Sequence, residues 1–292
     1  MERSLWTQRA EEHGRRVDVW TQPHLSRRRD GIKHPVHDFL FTYYSYSPAA
    51  LRRWHPGFGT CLADAPEYAD LRGYLVGPDG SATVTADYLR SHQPLITSTR
   101  HFLTRVADRA PTFGCFGLHE WAMVYRADET RHPVPLRLGA AGTDEVVETH
   151  RIRCSHFDAF RFFTAPAIPL NTLQPGREDR GDFEQPGCLH ATMDLYKHAF
   201  RLSPLLDSDL IADCFDLAWR VRDLDMRASP YDLADYGYQP VAIETPEGKV
   251  VYAEAQRGFA EEGARLRGRL IDECVRLLQW AHQPSARQPT EQ

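Results

Sequence analysis

CLHATMDLYKHAF, residues 188–200, carries His190, Asp194 and His198 at intervals of four. At 3.6 residues per turn this spacing puts all three side chains on one face of one helix, over about two turns. Bundle proteins build half of a metal site from a helix that offers imidazole and carboxylate in line, with facing helices supplying further carboxylates. A polar stripe facing water has the same spacing. Leu189, Met193, Leu195 and Phe200 argue against it, because they place the stripe in an apolar, largely buried helix. The fold expected around this segment is mainly α.

The rest of the chain agrees. Its 292 residues are 42% hydrophobic and 26% charged, a length and composition that support a real core in one large domain or at most two. Lys and Arg number 35 against 40 for Asp and Glu, a net charge of −5. Nucleic-acid binding draws most of its affinity from neutralised phosphates, so this balance argues against a nucleic-acid partner on charge grounds. No apolar run approaches the ~18–20 residues of a membrane span, and the opening MERSLWTQRAEEHGRR has no apolar signal-peptide core. Cys61, Cys115, Cys154, Cys188, Cys214 and Cys274 form no CxxC pair, which fits reduced thiols in a cytoplasmic protein.

Helical periodicity is expected over Ser4–Arg16, Asp87–Asp108, Phe116–Tyr125, Ser155–Phe163, Leu189–Leu202, Asp207–Met226 and Ala253–Trp280. Arg27, Arg28 and Arg29 read as a solvated basic loop. Pro35 reads as the first helical residue of the aromatic run that follows it. Gly77-Pro78-Asp79-Gly80 marks a hairpin with Ser81–Thr85 as its return strand, and VAIETPEGKVVY (residues 241–252) reads as a second hairpin. The expected unit is a single domain over residues 1–283, a helical bundle with one or two small hairpins, followed by a polar tail over 284–292.

Two further clusters carry chemistry. In FGCFGLHEWAMVYR (113–126), Glu120 stands in an apolar helix, where a carboxylate must be paired or metal-bound to offset its desolvation. An arginine partner is one solution; a metal is the other. His119 is adjacent, about 100° around the helix, so the two are not expected to share one metal, and Glu120 is the preferred ligand because a carboxylate can bridge two ions. In EVVETHRIRCSHFDAFRFF (145–163), Glu148, His150, His156 and Asp158 crowd together, some as ligands and some as supporting partners or caps. Imidazoles and carboxylates without thiolates suit iron or manganese better than structural zinc. The expected metal ligands are therefore Glu120, Glu148, His156, His190, Asp194 and His198, with His119, His150 and Asp158 as supporting or alternative ligands. Arg227, near the end of a helix, is the candidate for gripping a substrate carboxylate in a bidentate fork.

KHPVHDFLFTYYSY (33–46), FGCFGLHEWAMVYR, CSHFDAFRFFT (154–164), EQPGCLHATMDLYK (184–197) and LDMRASPYDL (224–233) resemble an actinobacterial family often labelled 3-methyladenine DNA glycosylase. The same segments are similar to the heme-oxygenase-like diiron oxidases, among them the azetidine-forming enzyme of polyoxin biosynthesis. This resemblance implies a heme-oxygenase-like helical bundle that binds two Fe(II) ions and uses O2 as cosubstrate. In that family a third core helix carries His, Asp and His, which match His190, Asp194 and His198; the last lies one position later than in some members, where Lys197 stands here. Earlier helices contribute Glu and His, for which Glu120, Glu148 and His156 are the matches.

The implied activity is O2-dependent attack on C–H bonds of a small aliphatic substrate, such as isoleucine on the way to an azetidine. An external electron donor is implied, and a homodimer is compatible with it. The alternative is a base-excision glycosylase that flips an alkylated base onto aromatic side chains, for which Trp54, Trp121 and Tyr125 are available. A metal-free helical binding module, its polar cluster a buried hydrogen-bond network, is the third reading.

Overall fold

The computed structural model describes residues 1–130 and 132–283; the segment 284–292, read as a tail, lies outside the described residues. The helices are α1 (Arg3–Arg29), α2 (Asp38–Thr42), α3 (Pro48–Arg52), α4 (Ala86–Ser91), α5 (Gln93–Ala107) and α6 (Leu118–Ala122). They continue as α7 (Gly139–Thr149), α8 (Phe157–Phe160), α9 (Arg180–Phe183), α10 (Leu189–Phe200), α11 (Ser208–Arg227) and α12 (Pro246–Ala281). Three short strands, β1 (Cys61–Leu62), β2 (Tyr74–Val76) and β3 (Ala82–Val84), form one antiparallel sheet in the order β1-β3-β2. The architecture is mainly α, as expected. No helix among the described residues is long and apolar enough to cross a membrane.

The core is built on α10, which packs on α11 and α12. Apart from His190 and Lys197, every residue of α10 is buried. A helix buried all round must satisfy its polar side chains inside the protein, and this requirement shapes the site described below. Helix α11 presents Leu210, Cys214, Phe215, Leu217, Val221 and Leu224 to the core at helical spacing and leaves Asp216 and Asp223 outside the buried set. Tyr196 and Phe215 meet edge to face at 4.8 Å, joining the two helices.

The first hairpin forms where the sequence places it. Gly80 takes φ +76°, Asp79 accepts hydrogen bonds from the Ser81 backbone and hydroxyl, and the return strand pairs Ala82 with Val76 and Val84 with Tyr74. The second expected hairpin does not exist. Thr245 caps a helix instead: its hydroxyl accepts from the Gly248 amide at 3.0 Å, with Pro246 at the first helical position. The same Thr-Pro-Glu signal that resembles a turn also starts a helix, and Val250 and Val251 lie exposed on α12. Arg27–Arg29 likewise form the last turn of α1 rather than a loop, where positive charge suits the helix dipole.

His55 ties the sheet to the helices. Its ring Nδ1 lies 3.0 Å from the Tyr74 hydroxyl, and its amide donates to Ser208 Oγ at 2.8 Å. Burial, aided by the charge of Arg53, pushes its pKa from 6.5 down to about 3. The unfolded chain therefore binds a proton at this position that the folded chain refuses between those two values. Stability from this residue is complete above pH 6.5 and falls as pH drops toward 3. Acidification to about pH 5 should cost up to about 2 kcal/mol through this group. Thermal melts should show a shallower acid slope in His55→Gln; an unchanged slope would contradict the assignment.

Candidate metal centre

The chain enters helix α6 through two left-handed residues, Phe116 at φ +49° and Gly117 at φ +72°, which fix where the helix starts. A Cβ at Gly117 would lie 3.3 Å from the Ala228 side chain, so this turn is pressed against the end of α11. All five residues of α6 are buried. His119 and Glu120 diverge by about 100°, as neighbours on a helix must, and enter different environments.

His119 faces Asp225. Its Nε2 lies 2.9 Å from Asp225 Oδ1, and its ring meets the His190 ring edge-on with centroids 4.5 Å apart. Ligand atoms of His119, His190 and Asp225 all lie within 4.8 Å of one another, the one such grouping of three or more His, Cys, Asp or Glu among the described residues. Burial opposes charge on His119, but the Asp225 carboxylate outweighs it and holds the imidazole well above its usual range. Burial likewise works against the Asp225 carboxylate, and His119 overcomes this to hold it below the usual carboxylate range. Burial pushes His190 down to about 3, leaving a neutral imidazole, the form that binds metals. The other ring nitrogen of His119 lies 3.5 Å from Cys115 Sγ, a contact that orients the ring from behind.

A second group adjoins the first across His190, whose ring stacks on His156 at 5.2 Å. His156 Nε2 is 3.5 Å from Asp194 Oδ2 and 3.6 Å from Glu184 Oε2. These are charge contacts, too long for good hydrogen bonds. Both ring nitrogens of His156 and Glu184 Oε2 are buried with no hydrogen-bond partner. Asp194 is held by the Tyr44 hydroxyl at 2.9 Å, with Arg180 and Lys197 each at 3.3 Å, and Arg180 Nε donates to Glu184 Oε1 at 2.6 Å. Burial disfavours the Asp194 charge, but contact with His156 and Lys197 holds it well below the usual carboxylate range.

Above His190 lies a cavity of about 180 Å³, walled by Phe39, Tyr43, Met123 and Phe162, with Glu120 and Arg222 as its charged pair. Arg222 is buried; its Nη1 donates to Glu120 Oε1 and to Asp225 Oδ2, each at 3.0 Å, and its guanidinium lies 4.3 Å from the Phe39 ring centroid. Glu120 is thus ion-paired with an arginine and stands outside the His119–His190–Asp225 group.

The other expected site residues divide. His156, His190 and Asp194 converge. His198 is buried against Phe102 at 5.2 Å, with both ring nitrogens unpartnered, but belongs to neither group. Glu148 is a correction: it is solvent-exposed on α7 and engages Arg126 at 2.6 Å and the Tyr125 hydroxyl at 2.9 Å. His150 caps its own helix, with Nδ1 2.8 Å from the Val146 carbonyl. Asp158 lines the cavity and neutralises Lys197 and Arg161.

Arg227 is a second correction: it is 38% exposed and spends its Nε on the Gln239 carbonyl, while Arg222, five residues earlier, reaches the cavity. Trp54, Trp121 and Tyr125, the aromatics of the flipped-base alternative, are all buried. Asp225 and Glu184, which complete the two groups, are absent from the set expected from the sequence, because no periodicity in their segments shows that Asp225 faces His119 or that Glu184 faces His156.

No protein-family model, curated protein or solved structure matches the chain.

Proposed function

We propose that the protein is a non-heme iron enzyme that uses O2 to oxidise a C–H bond of a small aliphatic substrate, with two irons in adjacent ligand groups. The observation that carries this reading is the convergence of His119, His190 and Asp225 beside a small, mostly apolar cavity. Two imidazoles and one carboxylate with open positions form the donor set of non-heme Fe(II) oxygenases. His156, Glu184 and Asp194 would hold the second ion. Their unpartnered buried atoms support this, because a buried polar atom without a partner is costly and one cation would satisfy His156 Nε2 and Glu184 Oε2 together. The donors therefore fit iron, and the resemblance to heme-oxygenase-like diiron oxidases points the same way.

The iron pair would supply the reduction of O2 and the oxidising power for the C–H bond. Desaturation of the substrate provides two of the four electrons O2 requires, and an external donor provides the others. The chain supplies position and dryness. Phe39, Met123 and Phe162 give the space above His190 an apolar lining that would disfavour water, and Tyr43 forms one wall. Glu120, Asp158 and Arg222 put carboxylate and guanidinium groups in that cavity, with Glu120 and Arg222 paired to each other, a lining that suits the ammonium and carboxylate of an aliphatic amino acid. Cys115 and Tyr44 orient His119 and Asp194 from behind.

The test is oxygen uptake by Fe(II)-loaded protein across a panel of aliphatic amino acids and fatty acids. An amino acid such as isoleucine should stimulate uptake and emerge oxidised. Stimulation by none of the panel, with iron bound, would overturn the substrate class.

A further inference from the structure

A second concave site lies apart from the cavity above His190. It is a groove of about 290 Å³ lined by Arg151, Arg153, Lys249 and His150 against Phe116 and Leu118. No acidic residue lines it. In a chain of net charge −5, most arginines elsewhere are ion-paired, for example Arg16, Arg126, Arg137, Arg220 and Arg276. Among the described residues, Arg151, Arg153 and Lys249 have no side-chain hydrogen bond or ion pair.

The three cations stand on fixed backbone. Residues 151–153 are extended, with the buried Ile152 bridging in parallel to Asn171, and the Ile152 carbonyl accepts from the Thr172 amide at 3.0 Å. Side chains two apart on extended chain share a face, so Arg151 and Arg153 project together. The next amide, that of Cys154, is held by Asn171 Oδ1 at 2.7 Å. Lys249 sits in the first turn of α12, fixed by the Thr245 cap. A Cβ on the preceding Gly248 would collide with the Ala242 carbonyl, so the chain is tightly seated there. Like charges lining one groove on rigid supports repel one another, and a multivalent anion in the groove would relieve that repulsion.

We propose that this groove binds a small organic phosphate. Arg151, Arg153 and Lys249 take the phosphate oxygens and Phe116 and Leu118 take the apolar part of the ligand. Guanidinium forks match phosphate geometry, lysine adds a point charge, and the concave apolar floor selects a small molecule over a flat macromolecular surface. This site is independent of the iron reading.

Calorimetric titration of the full chain with phenyl phosphate and with inorganic phosphate tests it. Saturable one-site binding is expected, tighter for phenyl phosphate and weaker at higher salt. Arg151→Gln and Arg153→Gln should each weaken it by roughly tenfold, since both side chains are exposed and hydrogen bonds to charged groups carry that much. Arg28→Gln, at the end of α1, and His190→Ala should leave it unchanged. Absence of saturable binding would overturn the proposal. So would equal weakening by Arg28→Gln, which would mark nonspecific charge attraction, or loss in His190→Ala, which would place the phosphate at the metal centre.

Discussion

His190→Ala should lose iron and oxidase activity while its far-UV circular dichroism and cooperative melt remain those of the parent. The expectation of an intact fold has a specific basis. The His190 ring is neutral, opens on the cavity, and meets its neighbours through ring contacts with His119 and His156. Truncation therefore strands no buried hydrogen-bond partner. The expected loss of metal has an equally specific basis, because His190 is one of the three donors of the first ligand group and its ring stacks on His156 of the second. Removing a partner that merely orients a ligand costs roughly 10–100-fold in metal affinity, so removing this ligand should cost at least that much. Glu148→Ala is the matched control. It deletes a carboxylate first expected to bind metal, yet the side chain lies on the surface with Arg126, and iron content should not change. Equal iron in His190→Ala and the parent would remove the centre from where it is placed here.

Arg222→Met should be the most destabilising single change in the site. Arg222 is 2% exposed and is the cation that Glu120 and Asp225 both contact. Asp225 retains His119, but Glu120 would be left as a buried carboxylate without a counter-charge. Breaking a buried pair from one side costs about 3–5 kcal/mol, whereas removing both charges with little change in volume is often close to neutral. Denaturant unfolding should therefore show a large loss in Arg222→Met and substantial recovery when Glu120→Gln is added. No recovery in the double variant would mean that Arg222 matters through Asp225 or through its packing on Phe39. Arg227→Met, with its exposed side chain, should leave stability almost unchanged.

The contrast between these two arginines shows how far the sequence could be read. The apolar periodicity of α10 and α11 made both helices legible. Once α10 was known to be buried, His190 and Asp194 had to face something polar. The partners were not legible, because they depend on how helices are rotated against each other. Arg222 and Asp225 are three residues apart and share the inner face of α11; Arg227, five beyond Arg222, turns toward Gln239. The choice between His119 and Glu120 turned on the left-handed pair Phe116–Gly117, which sets the rotation of α6 and leaves no periodic trace. Glu148 was misplaced for the opposite reason. Its helix, α7, has Val146 and Val147 on the buried side, and the acidic residue falls on the outer one. Thr245-Pro246-Glu247-Gly248 carries a turn signal and a helix-start signal at once, and packing of Tyr252 and Gln256 into the core decides for the helix.

The central claim is that two adjacent His/carboxylate groups hold iron. Metal analysis of the full chain, purified from iron-supplemented cells and reconstituted anaerobically with Fe(II), tests it most directly. Two irons per chain are expected in the parent, held through gel filtration, with marked loss in His190→Ala. Parent protein that retains no iron, or holds it equally well without His190, would contradict it.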